Sequence, residues 1–324
     1  MKLQEIAINT IENIRIGHAQ NEKGGTGCTV LICETGAPTG VDVRGGGPAS
    51  RESELLNPLA AAQAVHGVLL SGGSAFGLDA AGGVMAFLKE KDIGFDTGVA
   101  KVPLVCQSCI FDLVVGEVEA YPDAKMAWEA CEDAWRGGSV KEGNVGAGMG
   151  ATVGKYRGPD FMMKSGLGCY AVALGDLKVG AIVSVNALGD IFDLETGKEL
   201  AGMLNDEGTA FASIEEAFYA DTTRKENLFT GNTTIGAVIT NGCFTKSEMN
   251  KIAAMAQNGL ARTINPVHTT ADGDSVYAMS TGQVSADLNV VGTLAARVMG
   301  IAVNRAVMTA EPAYGLKTAS QMLG

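Results

Sequence analysis

The sequence is short of positive charge, of histidine and of aromatic residues. Its 324 residues carry 24 lysines and arginines against 36 aspartates and glutamates, giving a formal net charge of −12, and only 6% are aromatic. Without a cluster of basic residues, nucleic acid and anionic membrane surfaces are not expected as partners. The three histidines, His18, His66 and His268, are too dispersed for a metal triad. We interpret them as core or turn residues and expect no metal or organic cofactor.

Cysteine usage excludes further classes of protein. Seven cysteines, an odd number and widely scattered, are typical of reduced thiols in the cytoplasm. Cys106 and Cys109 form a lone C-x-x-C pair, and without a second pair of ligands a zinc site is not expected. The first residues contain no apolar signal core, and no apolar run reaches transmembrane length. These features predict a cytoplasmic protein with no membrane partner.

Glycine and apolar residues are abundant instead. Forty-four glycines are about twice the usual share of roughly 7%, and 46% of the residues are hydrophobic, which is enough for a sizeable core. Hydrophobic patterns predict strands at 27–33, 39–43, 67–70, 178–185, 234–240 and 275–280, and helices at 58–65, 75–91, 121–135, 245–262 and 288–307. Thr245-Lys246-Ser247-Glu248 predicts a capping box at the start of the helix at 245–262. The sequence therefore predicts an α/β protein with two helix-covered sheets and no clear domain boundary. The polar stretch 221–227 is predicted to be a mobile linker.

The stretch from Phe229 to Thr240 joins a small polar turn, Thr230-Gly231-Asn232, to an apolar, β-branched run. This pattern predicts a loop that leads into a buried strand, with Thr233 and Thr234 at the joint. Taken alone, the stretch is more typical of an ordinary turn and core strand than of a reactive site. Asn232-Thr233-Thr234 also matches a glycosylation acceptor, but nothing else in the sequence indicates secretion.

Four segments in this order make the chain resemble one family, the L-aminopeptidase/D-esterase family that includes the β-peptidyl aminopeptidases. They are Asp42-Val43-Arg44-Gly45-Gly46-Gly47-Pro48, the segment 72–81, Gly143-Asn144-Val145-Gly146-Ala147-Gly148 and the stretch from Phe229 to Thr240. The resemblance implies a four-layer αββα sandwich of the N-terminal-nucleophile type in a single domain, 1–324. It also implies self-cleavage between Asn232 and Thr233 into 1–232 and 233–324, and a homo-oligomer, expected to be a tetramer.

The resemblance also implies the catalytic chemistry. Thr233 would become the nucleophile at a new N-terminus, whose α-amine, with a pKa near 8, can serve as its base. Thr234 competes for this role, but alternation along the strand directs it to the opposite face. Asn186 matches the family's oxyanion donor, while Thr270 and Asp272 match a hydroxyl and acidic pair that supports the nucleophile.

Two positions depart from the family pattern. The spacing from Thr233 to the acidic residue differs slightly, so Asp274 stays an alternative to Asp272. A tyrosine that some members place after the Gly-x-Gly-Met stretch is absent, since Gly148-Met149-Gly150 leads instead to Gly154-Lys155. Arg44, in a glycine-rich loop, is a candidate to pair with a carboxylate near the site.

Two rival functions remain open at this stage. The main prediction is an aminopeptidase or amidase that acts on small peptides, amides or esters from their amino end. An acyltransferase of the ornithine acetyltransferase type would pass the acyl group to an amine instead, but those enzymes carry alanine before the threonine, where this chain has Asn232. An unprocessed small-molecule-binding relative would keep Thr233 inside an intact chain.

Overall fold

Two β-sheets lie face to face in the computed structural model, which describes residues 2–222 and 231–324. The strands of these residues are Gln4–Ile6 (β1), Arg15–Asn21 (β2), Thr26–Ala37 (β3), Thr39–Val43 (β4), Ala49–Arg51 (β5), Val65–Ser71 (β6), Phe95–Asp96 (β7), Lys101–Val102 (β8), Val105–Cys109 (β9), Thr152–Val153 (β10), Met163–Lys164 (β11), Leu167–Leu174 (β12), Leu177–Asn186 (β13), Asp190–Phe192 (β14), Glu199–Ala201 (β15), Thr233–Gly242 (β16), Ile264–Asn265 (β17) and Ser275–Val284 (β18). The α-helices are Ala81–Glu90 (α1), Ala124–Arg136 (α2), Ile214–Ala220 (α3), Lys246–Thr263 (α4), Leu288–Met308 (α5) and Ala319–Leu323 (α6).

The first sheet has six strands in the order β1-β12-β13-β16-β18-β4. β16 pairs antiparallel with β13 and parallel with β18, so it lies in the interior of the sheet. Every residue of β16 is buried. A strand covered on both faces explains why its sequence reads as a nearly continuous apolar run rather than as an alternating one.

The second sheet has five strands in the order β2-β3-β6-β9-β5, with β6 and β9 parallel. Three smaller sheets lie outside the two main layers. They are formed by β15, β14 and β17, by β10 and β11, and by β7 and β8. Their strands are two or three residues long and connect the loops around the sandwich.

Three of the four apolar clusters among the described residues define four layers. One apolar cluster joins the inner faces of the two sheets and includes Leu31 and Val68 from the second sheet and Ile182 and Ile235 from the first. A second cluster packs α4 and α5 on the outer face of the first sheet. A third packs α1 and α2 on the outer face of the second sheet. The αββα sandwich predicted from the sequence is therefore confirmed.

Several predicted elements are present with small changes at their ends. The predicted capping box is formed, because Thr245 and Glu248 bond reciprocally at the first turn of α4. The predicted strands at 67–70 and 178–185 lie inside β6 and β13, and the one at 275–280 is the first part of β18. The predicted linker falls mainly on residues 223–227, which lie outside the described residues.

The helix predicted at 58–65 is wrong. A short 3₁₀ helix, Ser53–Leu56, is followed by turns, and the carbonyls of Ala60 and Ala62 accept bonds from the buried Lys246 ammonium at 2.6 and 2.8 Å. A distant lysine therefore binds the carbonyl groups that a helix would use internally.

The helix predicted at 75–91 begins instead as a 3₁₀ helix, Ser74–Ala80, before α1. The side chain of Gln107 bonds the Gly77 carbonyl at 2.6 Å and the Ala81 amide at 3.3 Å. These tertiary bonds replace the α-helical pattern over the first turns.

The expectation that no apolar run reaches transmembrane length needs correction. With 21 residues and a mean hydropathy of 1.4 over its most apolar 18-residue stretch, α5 is long and apolar enough to cross a membrane. However, 72% of that stretch is buried. The helix packs on α4 and the first sheet, as the core helix of a sandwich does.

Candidate active site

The predicted nucleophile lies at the first residue of β16. Thr233 pairs with Asn186, the last residue of β13, across the antiparallel ladder, and both residues are buried. Ile235, Ala237 and Ile239 of β16 belong to the inner core, whereas Val238 belongs to the outer one. Alternation therefore directs Thr233 between the two sheets and Thr234 towards the helices. The opposite-face prediction for these two threonines agrees with this packing.

The Thr233 hydroxyl lies against its own preceding peptide group. Its Oγ1 donates a hydrogen bond to the carbonyl oxygen of Asn232. The same Oγ1 lies beside Gly273, because a Cβ added there would be only 2.8 Å from it. A cavity of about 30 Å³, which is room for about one water molecule, opens beside Thr233. Its other lining residues are Gly47, Ala49, Ser74, Cys109, Phe111, Gly231, Asn232 and Ala271.

The turn before β16 has a conformation that requires glycine. Gly231 has φ of +98°, and a Cβ at this position would be 3.1 Å from the Phe111 ring. The chain therefore enters the strand through a left-handed residue that packs against an aromatic face. Of the predicted turn Thr230-Gly231-Asn232, the first residue lies outside the described residues.

Asn186 is held in one orientation by its partners. Its Oδ1 accepts bonds from the Thr152 amide at 3.0 Å and from Lys155 Nζ at 2.7 Å. Because both of these groups are donors, the amide nitrogen must face the other way, where it donates to the carbonyls of Gly231 and Phe111 at 3.0 Å each. In the uncut chain this amide thus binds the carbonyl one residue before the predicted cleavage site.

Lys155 is a site residue to which the sequence motifs assigned no role. Its buried ammonium donates to the Asn186 carbonyl at 3.0 Å, to Asn186 Oδ1 and to the Gly231 carbonyl. Burial lowers the pKa of Lys155 to about 7, although Asp272, Asp112 and Asp274 act in the opposite direction. The only sequence signal was a lysine close to the place where a tyrosine was expected.

The two acidic candidates have different neighbours. Asp272 accepts bonds from the Thr269 hydroxyl at 2.6 Å and from the Thr269 amide at 3.0 Å. Burial, with the nearby charge of Asp274, raises the pKa of Asp272 to about 6. Asp274 accepts a bond from the Thr234 amide at 2.7 Å and from His268 Nδ1 at 2.9 Å. Asp274 therefore bonds the nucleophile's strand directly, while Asp272 holds the adjacent loop.

The remaining predicted residues lie less close to the reacting group. Thr270 is exposed, and its neighbour Thr269 makes the bond to Asp272 that a supporting hydroxyl would make. Arg44 pairs with Asp42 at 2.7 Å on the exposed side of its loop.

The cysteine pair and the histidines show no metal-binding arrangement in the part of the chain that the structure describes. Cys106 and Cys109 are buried in β9, and burial raises the pKa of each thiol to about 12. Within residues 2–222 and 231–324, no group of three or more histidine, cysteine or acidic side chains could hold a metal ion.

Comparison with known proteins agrees with this architecture. The model of Peptidase family S58 matches residues 7–320. The chain is 37% identical to an uncharacterized aminopeptidase of Mycobacterium leprae (strain TN), over 96% of this chain and 92% of the relative. It is also 31% identical to a 6-aminohexanoate-oligomer endohydrolase of Kocuria sp. (strain KY2), over 90% of this chain and 82% of the relative.

Solved structures show the same fold at low sequence identity. A β-aminopeptidase of Burkholderia sp. superimposes with a TM-score of 0.66 and 17% identity, covering 98% of this chain and 92% of that one. The L-aminopeptidase D-Ala-esterase/amidase of Ochrobactrum anthropi, described as a variant of the Ntn hydrolase fold, gives a TM-score of 0.67 and 16% identity, covering 94% and 86%.

Proposed function

The chain belongs to peptidase family S58, and from this membership and the geometry around Thr233 we propose that it is a self-processing N-terminal-threonine hydrolase. Its substrates in this proposal are small peptides, amides or esters, as predicted from the sequence. Membership of the family and the relatives named as aminopeptidases and oligomer hydrolases make it a hydrolase of the peptidase and amidase class. The identity of the nucleophile and the cleavage are the further steps of the proposal.

One observation carries the proposal: the Thr233 hydroxyl contacts the carbonyl of the peptide bond that would be cut. In a buried strand, the obvious partners of a threonine hydroxyl are backbone groups of a neighbouring turn or strand. In this chain the hydroxyl instead bonds the preceding carbonyl, and Lys155 binds the carbonyl one residue earlier. A nucleophile held against the group that it would attack is the kind of arrangement that proximity catalysis requires.

Self-cleavage would use this hydroxyl twice. Thr233 Oγ attacks the carbonyl carbon of Asn232, the bond to the Thr233 nitrogen breaks, and that nitrogen takes the proton to become an amine. Water then hydrolyses the resulting ester and releases the Asn232 carboxylate and the Thr233 hydroxyl. In the processed enzyme the free amine accepts the Oγ proton as the hydroxyl attacks a substrate carbonyl.

The surrounding groups suit these steps. Developing negative charge on a carbonyl oxygen is stabilised by preorganised donors, and Asn186 and Lys155 both donate to a carbonyl one residue from the reacting one. We therefore propose Asn186 as an oxyanion donor and Lys155 as a second donor in the same role. Asp272 or Asp274, with Thr269 taking the place expected for Thr270, would hold the loop and the strand in position.

The remaining expectations become part of the proposal. The chain would be a single domain that is cut into residues 1–232 and 233–324. It would act in the cytoplasm as a homotetramer, without a cofactor.

The deciding experiment is an intact mass under denaturing conditions with N-terminal sequencing. We expect two fragments, the smaller one beginning Thr233-Thr234-Ile235. Thr233→Ala should remain a single chain without turnover, whereas Thr234→Ala should still be cut. A smaller fragment that begins at Thr234 would move the nucleophile. A wild-type chain that stays uncut for days would contradict the proposal.

A further inference from the structure

One side chain in the wall of the cavity beside Thr233 has no part in the chemistry described so far. Of the residues that line this cavity, only Ser74 and Thr233 carry a hydroxyl group. Ser74 is the first residue of the 3₁₀ helix Ser74–Ala80, and it is half-buried. Within residues 2–222 and 231–324 its hydroxyl makes no hydrogen bond. This hydroxyl can therefore bind a small molecule in the cavity.

Nearby serine hydroxyls are used for packing instead. The Ser71 hydroxyl donates to the Gly72 carbonyl at 2.9 Å, within the turn that leads to Ser74. The Ser108 hydroxyl lies 2.8 Å from the Tyr277 hydroxyl and joins β9 of the second sheet to β18 of the first. Because Ser74 has no contact of this kind, packing does not account for a hydroxyl at this position.

The backbone of Ser74 is held in a conformation that a side chain disfavours. Its φ is +53°, in the left-handed region, and it follows Gly73 with φ of +84°. The Gly73 amide donates to Asp112 Oδ1 at 2.7 Å, and the Ser74 amide donates to the Ile110 carbonyl at 2.9 Å. Residues kept in such conformations by their surroundings are concentrated at functional sites. The turn thus fixes Ser74 at the cavity wall.

Two further oxygen atoms lie close together at this cavity. The Gly47 carbonyl oxygen and Thr233 Oγ1 are 2.7 and 2.8 Å from one point, the position that a Cβ on Gly273 would occupy. The two oxygens are therefore at most about 5.5 Å apart, a distance that a single water molecule can bridge. No group in the part of the chain that the structure describes donates to the Gly47 carbonyl. A space of about 30 Å³ with polar groups in its wall suits one bound water molecule.

From these observations we propose that Ser74, together with the Gly47 carbonyl, positions the water molecule that hydrolyses the ester on Thr233. This inference rests on the proposed self-processing and adds a residue to its second step. The water oxygen bonds to the Asn232 carbonyl carbon, and the bond from that carbon to Thr233 Oγ breaks. One water proton passes through the Thr233 amine to Oγ, and the new Asn232 acid loses the other to solvent. Acyl groups from substrates form the same ester, so the same water position serves turnover.

The test is a competition between water and hydroxylamine for the ester formed in self-cleavage. The full chain is made by short cell-free synthesis in neutral hydroxylamine. Mass spectrometry then identifies the end of fragment 1–232 as the Asn232 carboxylate, from water, or as the Asn232 hydroxamate, from hydroxylamine. Both products come from one ester, so their ratio does not depend on the amount of folded chain or on the rate of the first step.

Ser74→Ala should raise the ratio of hydroxamate to carboxylate about threefold to tenfold, which is the effect of one hydrogen bond. The variant slows the attack of water, whereas hydroxylamine is a strong nucleophile that needs no group to position it. Ser74→Gly removes the same hydroxyl and suits the left-handed backbone, so it should raise the ratio equally. Ser71→Ala is the matched control, because it removes a hydroxyl from the same turn that bonds the Gly72 carbonyl. Its ratio should equal that of the wild type.

The outcomes separate this inference from the proposed function. Equal ratios in the wild type and the two Ser74 variants overturn the inference, even if the variants are cut more slowly. A ratio raised by Ser74→Ala but not by Ser74→Gly, or raised as much by Ser71→Ala, also overturns it, since the shape of the turn would then be the cause. A wild-type chain that gives neither product, or a Thr233→Ala chain that gives the hydroxamate, contradicts the proposed function instead.

Discussion

Gly273→Ala tests the position of the Thr233 hydroxyl, because it changes neither a charge nor a predicted catalytic group. A Cβ at residue 273 would be 2.8 Å from Thr233 Oγ1 and 2.7 Å from the Gly47 carbonyl oxygen. Carbon and oxygen atoms that are not bonded keep about 3.3 Å or more apart. Both contacts must therefore open by about 0.5 Å.

The Thr233 side chain can move away from the new Cβ. The Gly47 backbone is held by its amide, which donates to the Asp272 carbonyl at 2.8 Å, so the contact with Gly47 must be relieved by a shift of the backbone around residue 273. A misplacement of about 1 Å costs about a hundredfold in rate, so a displacement of half that size should slow self-cleavage about tenfold. Overpacking should also lower the free energy of unfolding by about 1–3 kcal/mol.

The assay is the fraction of the fragment 233–324 in intact mass spectra, followed over time after purification. Gly82→Ala is the control, because a Cβ at this site in α1 meets nothing within 4 Å. It should be processed at the wild-type rate and stabilise the helix by about 0.5–1 kcal/mol. Self-cleavage of Gly273→Ala at the wild-type rate would refute the placement of the Thr233 hydroxyl beside residue 273.

Three further predictions concern stability and reactivity, the first two measured in the uncut Thr233→Ala background. Because burial lowers the pKa of Lys155 from 10.5 to about 7, the unfolded chain binds more protons between these pH values, and stability should rise with pH across this range. Over this pH range the free energy of unfolding in urea should rise by at most about 5 kcal/mol more than that of Lys155→Met. Equal pH dependence of the two proteins would contradict this prediction. Thr245→Ala, which removes the capping box of α4, should cost about 1 kcal/mol in the same assay without changing the processing of the otherwise wild-type chain. Of the seven cysteines only Cys243 is exposed, so Ellman's reagent should titrate one thiol in the native protein and seven after unfolding. A second fast thiol would contradict the packing of the buried ones.

Local patterns predicted the elements whose stabilising groups are close together in sequence. The capping box at Thr245 and the apolar run of β16 both lie within a few residues, and the structure has both. The predicted helix at 58–65 failed because its carbonyls bind Lys246, nearly 200 residues away in sequence. The first turns of the helix at 75–91 differ for the same kind of reason, through Gln107.

The site residues also fall into two groups, those that the sequence predicted and those that only the fold identified. Sequence motifs predicted Thr233, Asn186 and the acidic pair, and the strand pairing brings Thr233 and Asn186 side by side. Thr270 and Thr269 are adjacent in the chain, and only the turn of the backbone determines which of them bonds Asp272. Lys155 had no recognisable role until the fold placed its ammonium between Asn186 and Gly231.

The sequence by itself determined the α/β class, the interior strand β16 and its alternation, because hydrophobic periodicity acts between neighbouring residues. It also indicated the family, through short motifs in a fixed order. Only the tertiary structure decided which lysine lies at the site, which hydroxyl supports Asp272 and which carbonyl Asn186 binds. These choices depend on burial and on contacts between distant segments, and burial sets the charge that a group such as Lys155 carries.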